Sequence, residues 1–237
     1  NLDIVVAGTQ TRTFGAQNGV SSYPTSADDC KAILLLTPPV SHPSVVMRRK
    51  FLEDNDIGYS EAYKHCEDFG LWVEVAENGG KISNLDEVLH HYHVHSGQVS
   101  ILNKNVTAEN HFRLVRRQLE SMGFTIEDDV LKYFVLADKS LLPNLDRALF
   151  RKLLKTYRDL MTLNATVKIY QPAALRRVIF SNIVAIIRDR LGLPGFSDVL
   201  FGPVNITPRE SIRLGGLAIL RTVKRLTKGV YASPKKF

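Results

Sequence analysis

Between residues 42 and 95 the chain concentrates side chains suited to taking a proton from a hydroxyl beside a charged leaving group. Glu67 and Asp68 open a stretch in which Leu71, Trp72, Val75 and Ala76 recur at helical spacing, with Gly79-Gly80 as the stop. The two carboxylates therefore stand in the first turn of a helix, where the helix dipole favours negative charge. A carboxylate held there against a substrate hydroxyl is a general base. One with no substrate nearby only marks the helix start, as acidic residues often do. The residue types leave both readings open. His42 before Pro43, and Arg48-Arg49 after a short β-branched run, are substrate-binding candidates, the arginines for a phosphate. Their alternative is a strand edge in solvent. Trp72 has the surface to stack on a sugar ring, but it lies on the apolar stripe with Leu71 and Val75, a core position.

Four of the seven histidines crowd together as His90, His91, His93 and His95. On a strand His91, His93 and His95 share one face. Three imidazoles on one face invite zinc, yet a tetrahedral site needs a fourth ligand and no nearby cysteine suits. Asp54-Asn55-Asp56 reads as a solvated turn.

Up to about residue 101 the elements that position these groups alternate between strand and helix. Leu2–Gly8 reads as a strand ending at Gly8, 15–26 as a loop, and Asp28–Leu36 as a short helix stopped by Pro38-Pro39. Ser44–Met47 is a short strand, Phe51–Asp56 a helical turn and Glu67–Asn78 the strongest helix. Lys81–Asn84 and Val88–Val94 read as two further strands. Beyond Ser100 the pattern is helical: Thr107–Met122 with Thr107 as N-cap, Asp128–Ala137, Asn144–Met161, and Pro172–Leu191 with proline in its first turn. A Gly/Pro linker and a last helix over 208–230 follow. The fold class is thus α/β followed by an all-helical C-terminal extension.

With 237 residues, 44% hydrophobic and 23% charged, the chain has globular composition, which excludes collagen, a low-complexity chain and a disulfide scaffold. Two cysteines suit a reducing compartment. No apolar run reaches the roughly 18 residues of a membrane span, and no signal-peptide pattern opens the chain. The net charge of +7 conceals an asymmetry. Residues 1–101 are acidic, with 7 Lys/Arg against 13 Asp/Glu, whereas 102–237 carry 24 against 11. A basic half is drawn to polyanions, although such charge is also commonly just solvated surface.

Read in order, the informative phrases are His42-Pro43-Ser44-Val45-Val46-Met47-Arg48-Arg49, Gly58-Tyr59-Ser60-Glu61, Glu67-Asp68-Phe69-Gly70-Leu71-Trp72, Val88-Leu89 and Tyr92-His93-Val94-His95, closing on Ser100. Their order and spacing resemble the acceptor-side half of family 2 inverting glycosyltransferases of the GT-A fold, over about residues 1–101. The resemblance implies a partial GT-A, Rossmann-like mixed sheet, with 102–200 a helical extension and 201–237 a basic amphipathic tail. It implies Asp68 as general base, Glu67 as its support, and His42, Arg48, Arg49 and Trp72 on the substrate side. His95 is implied as a metal-side residue, and the intact enzyme is expected to use Mg²⁺ or Mn²⁺. His93 stands where the family usually has arginine. The family's nucleotide-binding half, with its Asp-x-Asp motif, is expected before Asn1, so this portion alone is expected to be inactive.

The function so implied is inverting transfer of a sugar from a nucleotide-sugar donor to a glycan or lipid-linked acceptor. The setting would be cell-surface polysaccharide synthesis, cytoplasmic or peripheral at the inner face of the cell membrane. The alternative is a non-catalytic basic helical module that binds anionic membrane or nucleic acid. No nucleic-acid fold signature accompanies the basic half, so nucleic acid is not expected as a partner. In 209–230, Arg221, Lys224, Arg225 and Lys228 share a face beside Leu220, Val223, Leu226 and Val230, a pattern of membrane-surface helices. Deleting residues 205–237 is therefore expected to reduce sedimentation with anionic liposomes, and added salt is expected to mimic the deletion by screening. Equal binding to neutral and anionic liposomes, with or without the tail, would remove the membrane reading.

Overall fold

A computed structural model describes residues 3–95, 103–135 and 144–189. The basic helix expected over 208–230, and the cations on it, lie outside these residues. The frame is a mixed open sheet built on β1 (Ile4–Gly15). β4 (Lys81–Val94) runs parallel along one edge of β1, from Ile4↔Lys81 to Gly15↔Val94. The other edge is shared by two short antiparallel strands, β2 (Gly19–Val20) near one end and β3 (Val46–Met47) near the other. Helices α1 (Ala27–Leu34), α2 (Arg49–Asp54) and α3 (Glu67–Glu77) connect them. Then come α4 (Lys104–Ser121), α5 (Asp128–Val135), α6 (Arg147–Val167) and α7 (Pro172–Asp189).

Local chemistry accounts for most of the boundaries. Ser26 caps α1 by accepting the Asp29 amide at 3.1 Å, and Asp28 and Asp29 complement the dipole in its first turn. Asp146 caps α6 by accepting the Leu149 amide at 2.8 Å. Its predicted start at Asn144 therefore moves inward, and the helix continues six residues past Met161, to a left-handed Lys168. Thr107 is not the cap of α4. That place belongs to Asn103, and the Thr107 hydroxyl donates back to the Asn103 carbonyl one turn earlier. Nor does β1 end at Gly8. It continues to Gly15, and the two strands expected over 81–94 are one, because β4 follows β1 throughout with its irregularities absorbed as bulges. Asp54-Asn55-Asp56 forms the expected exposed turn at the end of α2.

One continuous core joins the α/β part to the helices. Val6, Ile82, Phe69 and Trp72 belong to the same buried cluster as Leu114, Leu119, Phe134, Leu153, Tyr157 and Ile183. Leu153, Tyr157 and Leu160 are fully buried along α6, and Leu149, one turn earlier on the same face, is partly buried. Polar ties reinforce the seam. Gln118 of α4 donates to the Leu34 carbonyl at 3.1 Å, and Arg177 of α7 pairs with Asp29 of α1 at 2.6 Å. Among the described residues no helix is long and apolar enough to cross a membrane. Leu119→Ala is expected to lower unfolding free energy by about 2–5 kcal/mol, the usual cost of a buried leucine truncation. The loss is expected within a single transition recorded by both far-UV circular dichroism and the fluorescence of the one tryptophan, Trp72. Two separated transitions would show that the seam does not couple the parts.

Candidate functional site

Three polar side chains, two of them buried, hold the loops that enclose a cleft of about 880 Å³ beside β1. Gln10, in phase with the inward-facing Val6 and Gly8, donates to the Tyr23 carbonyl and accepts from the Tyr23 amide, both at 2.9 Å. It also accepts from the Ser21 hydroxyl at 3.0 Å. Asn84 lies in phase with Ile82 and is likewise buried. Its amide donates to the carbonyls of Pro24 at 2.7 Å and Pro39 at 3.0 Å, tying together two loops that both line the cleft. A side chain at Gly8 would collide with the Asn84 amide oxygen, so glycine is required there by close approach rather than by a strand end. Ser44 completes the set. It accepts from the Thr9 amide at 3.2 Å and donates to the Ser41 carbonyl at 2.8 Å, fixing the 3-10 turn His42–Ser44 onto β1.

The cleft wall so built is rich in hydroxyls: Thr11, Thr13, Ser21, Ser22, Tyr23, Thr37, Ser41 and Tyr92. Asp68 enters it from the N-terminus of α3, half-buried, with Oδ1 accepting the Phe69 amide at 2.7 Å. No lysine or arginine is among the described residues lining it. The charge of Asp68 is felt by its neighbours. Burial raises the pKa of the Tyr23 phenol, a hydrogen bond with Ser41 opposes that rise, and Asp68 adds to it. Tyr59 is raised by burial, then by Asp68 and Glu67. Both phenols therefore stay protonated beside the carboxylate. The Cys66 thiol, just before α3, is pushed up to about 12 by burial, Asp68 and Glu67. Cys30, also buried and free, is pushed up to about 12 mainly by burial.

Of the residues singled out from sequence, Asp68 and His42 meet in this cleft. The His42 ring lies 5.8 Å from Tyr59 and 6.0 Å from Trp72. Trp72 itself is completely buried, as its place on the stripe predicts, and has no surface to offer a sugar. Glu67 is exposed outside the cleft lining. Arg49 is also elsewhere, paired with Glu53 at 2.7 Å along α2. Arg48 borders a separate depression over β3, β1 and β4 with Val46 and Leu85. Neither arginine therefore reaches the ligand space beside Asp68. His93 stacks on Phe14 at 4.9 Å, and its ring is 5.5 Å from that of His95. Among the described residues no three His, Cys, Asp or Glu side chains are grouped to hold a metal.

Gln10, Tyr23, Ser44, Asn84 and His111 are not among the site residues that the sequence singles out. A signal existed for Asn84 and, once β1 is known to continue past Gly8, for Gln10. Each falls on the inward phase of its strand, and a buried amide must find partners. His111 of α4 gave none, because it comes from the helical part. Its Nε2–H donates to the Leu36 carbonyl at 2.6 Å, and its ring meets Phe69 edge-on at 4.7 Å, directly behind Asp68. Burial lowers its basicity, opposed by the Leu36 carbonyl and the Asp68 charge.

No family model, curated protein or solved structure matches the chain.

The depressed His111 has a signed consequence. The unfolded chain takes up its proton near the ordinary value of 6.5, the folded chain only below it. Between these points the unfolded state binds more protons, so this contribution to stability is present above 6.5 and is lost as pH falls through the window below it. Urea midpoints of the wild type and His111→Gln between about pH 8 and pH 5 read this directly. The wild type is expected to lose more stability on acidification than the variant. Parallel curves would remove His111 as the cause.

Proposed function

We propose that the chain is the acceptor-side part of a family 2 inverting glycosyltransferase of the GT-A fold. In this reading it transfers a sugar from a nucleotide-sugar donor to a glycan or lipid-linked acceptor in polysaccharide synthesis. The observation that carries the reading is the placement of Asp68 at a helix start inside a hydroxyl-lined cleft with no lysine or arginine in its described lining. A polyol, a neutral ligand with many hydroxyls, matches that wall. A carboxylate beside it has a proton to take.

The chemistry is a single displacement. An acceptor hydroxyl oxygen attacks the anomeric carbon as the bond from that carbon to the nucleoside diphosphate breaks. The hydroxyl proton passes to Asp68, and the bonding pair leaves on the diphosphate. Phe69 N–H holds Asp68 Oδ1, which leaves Oδ2 to receive the proton. Tyr23 and Tyr59, protonated beside it, orient polar groups without competing for that proton. His42 borders the acceptor side. A divalent metal, Mg²⁺ or Mn²⁺, belongs to the proposal as a stabiliser of the leaving diphosphate. Its ligands would come from an Asp-x-Asp segment and substrate phosphates, and no step of Asp68, Tyr23 or His42 runs through it. Attachment of the basic tail to anionic membrane is part of the same proposal.

The test is transfer of radiolabelled sugar from UDP- and GDP-sugars by the natural gene product and its Asp68→Asn variant. Turnover is expected to fall by roughly 10²-fold or more, the usual effect of removing a general base, with donor affinity retained. Near-normal turnover in the variant would move the role to Glu67 or away from this cleft.

A further inference from the structure

The displacement uses Asp68 and its neighbours and leaves one large side chain of the cleft unexplained. Tyr92 of β4 lines the cleft and is 40% exposed, whereas Phe69, Trp72 and Tyr157 are fully buried. The strand ladder shows why it stands clear. Tyr92 pairs with Thr13 of β1, and Thr13 pairs in turn with Gly19 of β2. Residues paired in register share a sheet face, so Gly19, Thr13 and Tyr92 form one row across the three strands, and all of them line the cleft. Along β1 the residues in phase with Thr13 are Thr11 and Gly15, which are also small. The Tyr92 ring therefore stands at one end of a ledge floored by short side chains. Two strand spacings, roughly 10 Å, separate Gly19 from Tyr92, which is room for one sugar ring. A Cβ added at Gly19 would meet, among the described residues, only Thr13 Oγ1 at an ordinary 3.6 Å, so the far end of the ledge is open.

The occupant follows from shape and chemistry together. A pyranose carries hydroxyls around its rim and a patch of C–H groups on a face. The patch gains from contact with an aromatic ring, and the rim needs polar walls. The cleft supplies both, with Thr13, Gln17 and Ser22 lining it alongside Tyr92. A nucleobase also stacks on an aromatic ring. Its phosphates, however, would enter a cleft whose described lining has no lysine or arginine and does include the Asp68 carboxylate. We propose that Tyr92 is a stacking platform for one sugar ring of the acceptor, which lies on the ledge made by Thr13 and Gly19. The proposal rests on the reading of the cleft as the place of sugar transfer. It names the residue that recognises the apolar face of the sugar and has no part in proton transfer.

The experiment is saturation-transfer NMR of the chain with the methyl glycosides of glucose, galactose, mannose and N-acetylglucosamine, and with uridine. For whichever glycoside binds, transfer is expected to be strongest at the C–H protons of one ring face. Tyr92→Ala is expected to weaken binding about tenfold, the upper scale of one aromatic contact, while Tyr92→Phe, which keeps the ring, binds as the wild type does. Gly19→Leu leaves Tyr92 in place and fills the ledge from β2, and it is expected to weaken binding by at least the same factor. Both positions are exposed, so both variants are expected to keep the far-UV circular dichroism of the wild type. If Tyr92→Ala does not fold, Tyr92→Thr, a good strand former, makes the same comparison. Glycoside binding that is indifferent to the loss of the ring and to the filled ledge would overturn the platform while leaving the cleft as a sugar site. Binding of no glycoside by the wild type would overturn both. Uridine bound in place of the glycosides, and lost in Tyr92→Ala, would overturn the sugar platform and assign the ledge to a nucleobase.

Discussion

The Asn84 carboxamide has two N–H donors, and one reaches the Pro24 carbonyl at 2.7 Å and the other the Pro39 carbonyl at 3.0 Å. Much of the cleft depends on that fork. Pro24 follows Tyr23, whose phenol lies near Asp68, and Pro39 leads through Val40 and Ser41 to His42. Neither loop is regular structure, and both are otherwise held to the sheet through Gln10 and Ser44. A side chain of different length on β4 would leave two buried carbonyls unpaired and let the two walls separate. The absence of a side chain at Gly8 makes the space for this amide, so one strand yields volume that the Asn84 amide oxygen on the neighbouring strand fills.

Legibility in the sequence followed from how local each determinant is. Helix α3, its buried Trp72 and the entry of Asp68 at its first turn rest on periodicity within one element, and these were readable. The continuation of β1 past Gly8 was not, because what allows glycine there is Asn84, far along the chain. The merging of two expected strands into β4 has the same cause. Pairing with β1 sustains a strand that a run of Asp86 and Glu87 argues against locally. The arginine pair 48–49 shows the converse. Residue type suggested a phosphate, but helix α2 carries Arg49 to Glu53 instead. Thr107 could cap a helix, and was overruled because the chain turns into α4 at Asn103.

The helical part bears directly on the segment that carries Asp68. Asn110 donates to the Lys64 carbonyl at 2.9 Å, and Arg113 donates to the Ala62 carbonyl at 3.0 Å while covering the Tyr63 ring. These contacts brace the segment that leads into α3. With His111 against Phe69 and Leu36, helix α4 forms the back wall of the carboxylate. Asp68 and the residues that hold its segment in place thus come from different sequence grammars.

The ties across the seam also recast the charge asymmetry. Arg177 meets Asp29, Arg117 meets Glu77 at 2.5 Å and Glu74 at 3.6 Å, and in each case the cation comes from the helices and the anion from the α/β part. Part of the basic surplus after residue 101 is therefore directed inward, to a partner within the same chain, rather than outward to a polyanion. During folding, opposite net charges on the two parts attract before any apolar contact forms. Docking of the helices then becomes an electrostatically steered encounter, fast in dilute buffer and slowed by salt, even though the folded seam is held mostly by its apolar core.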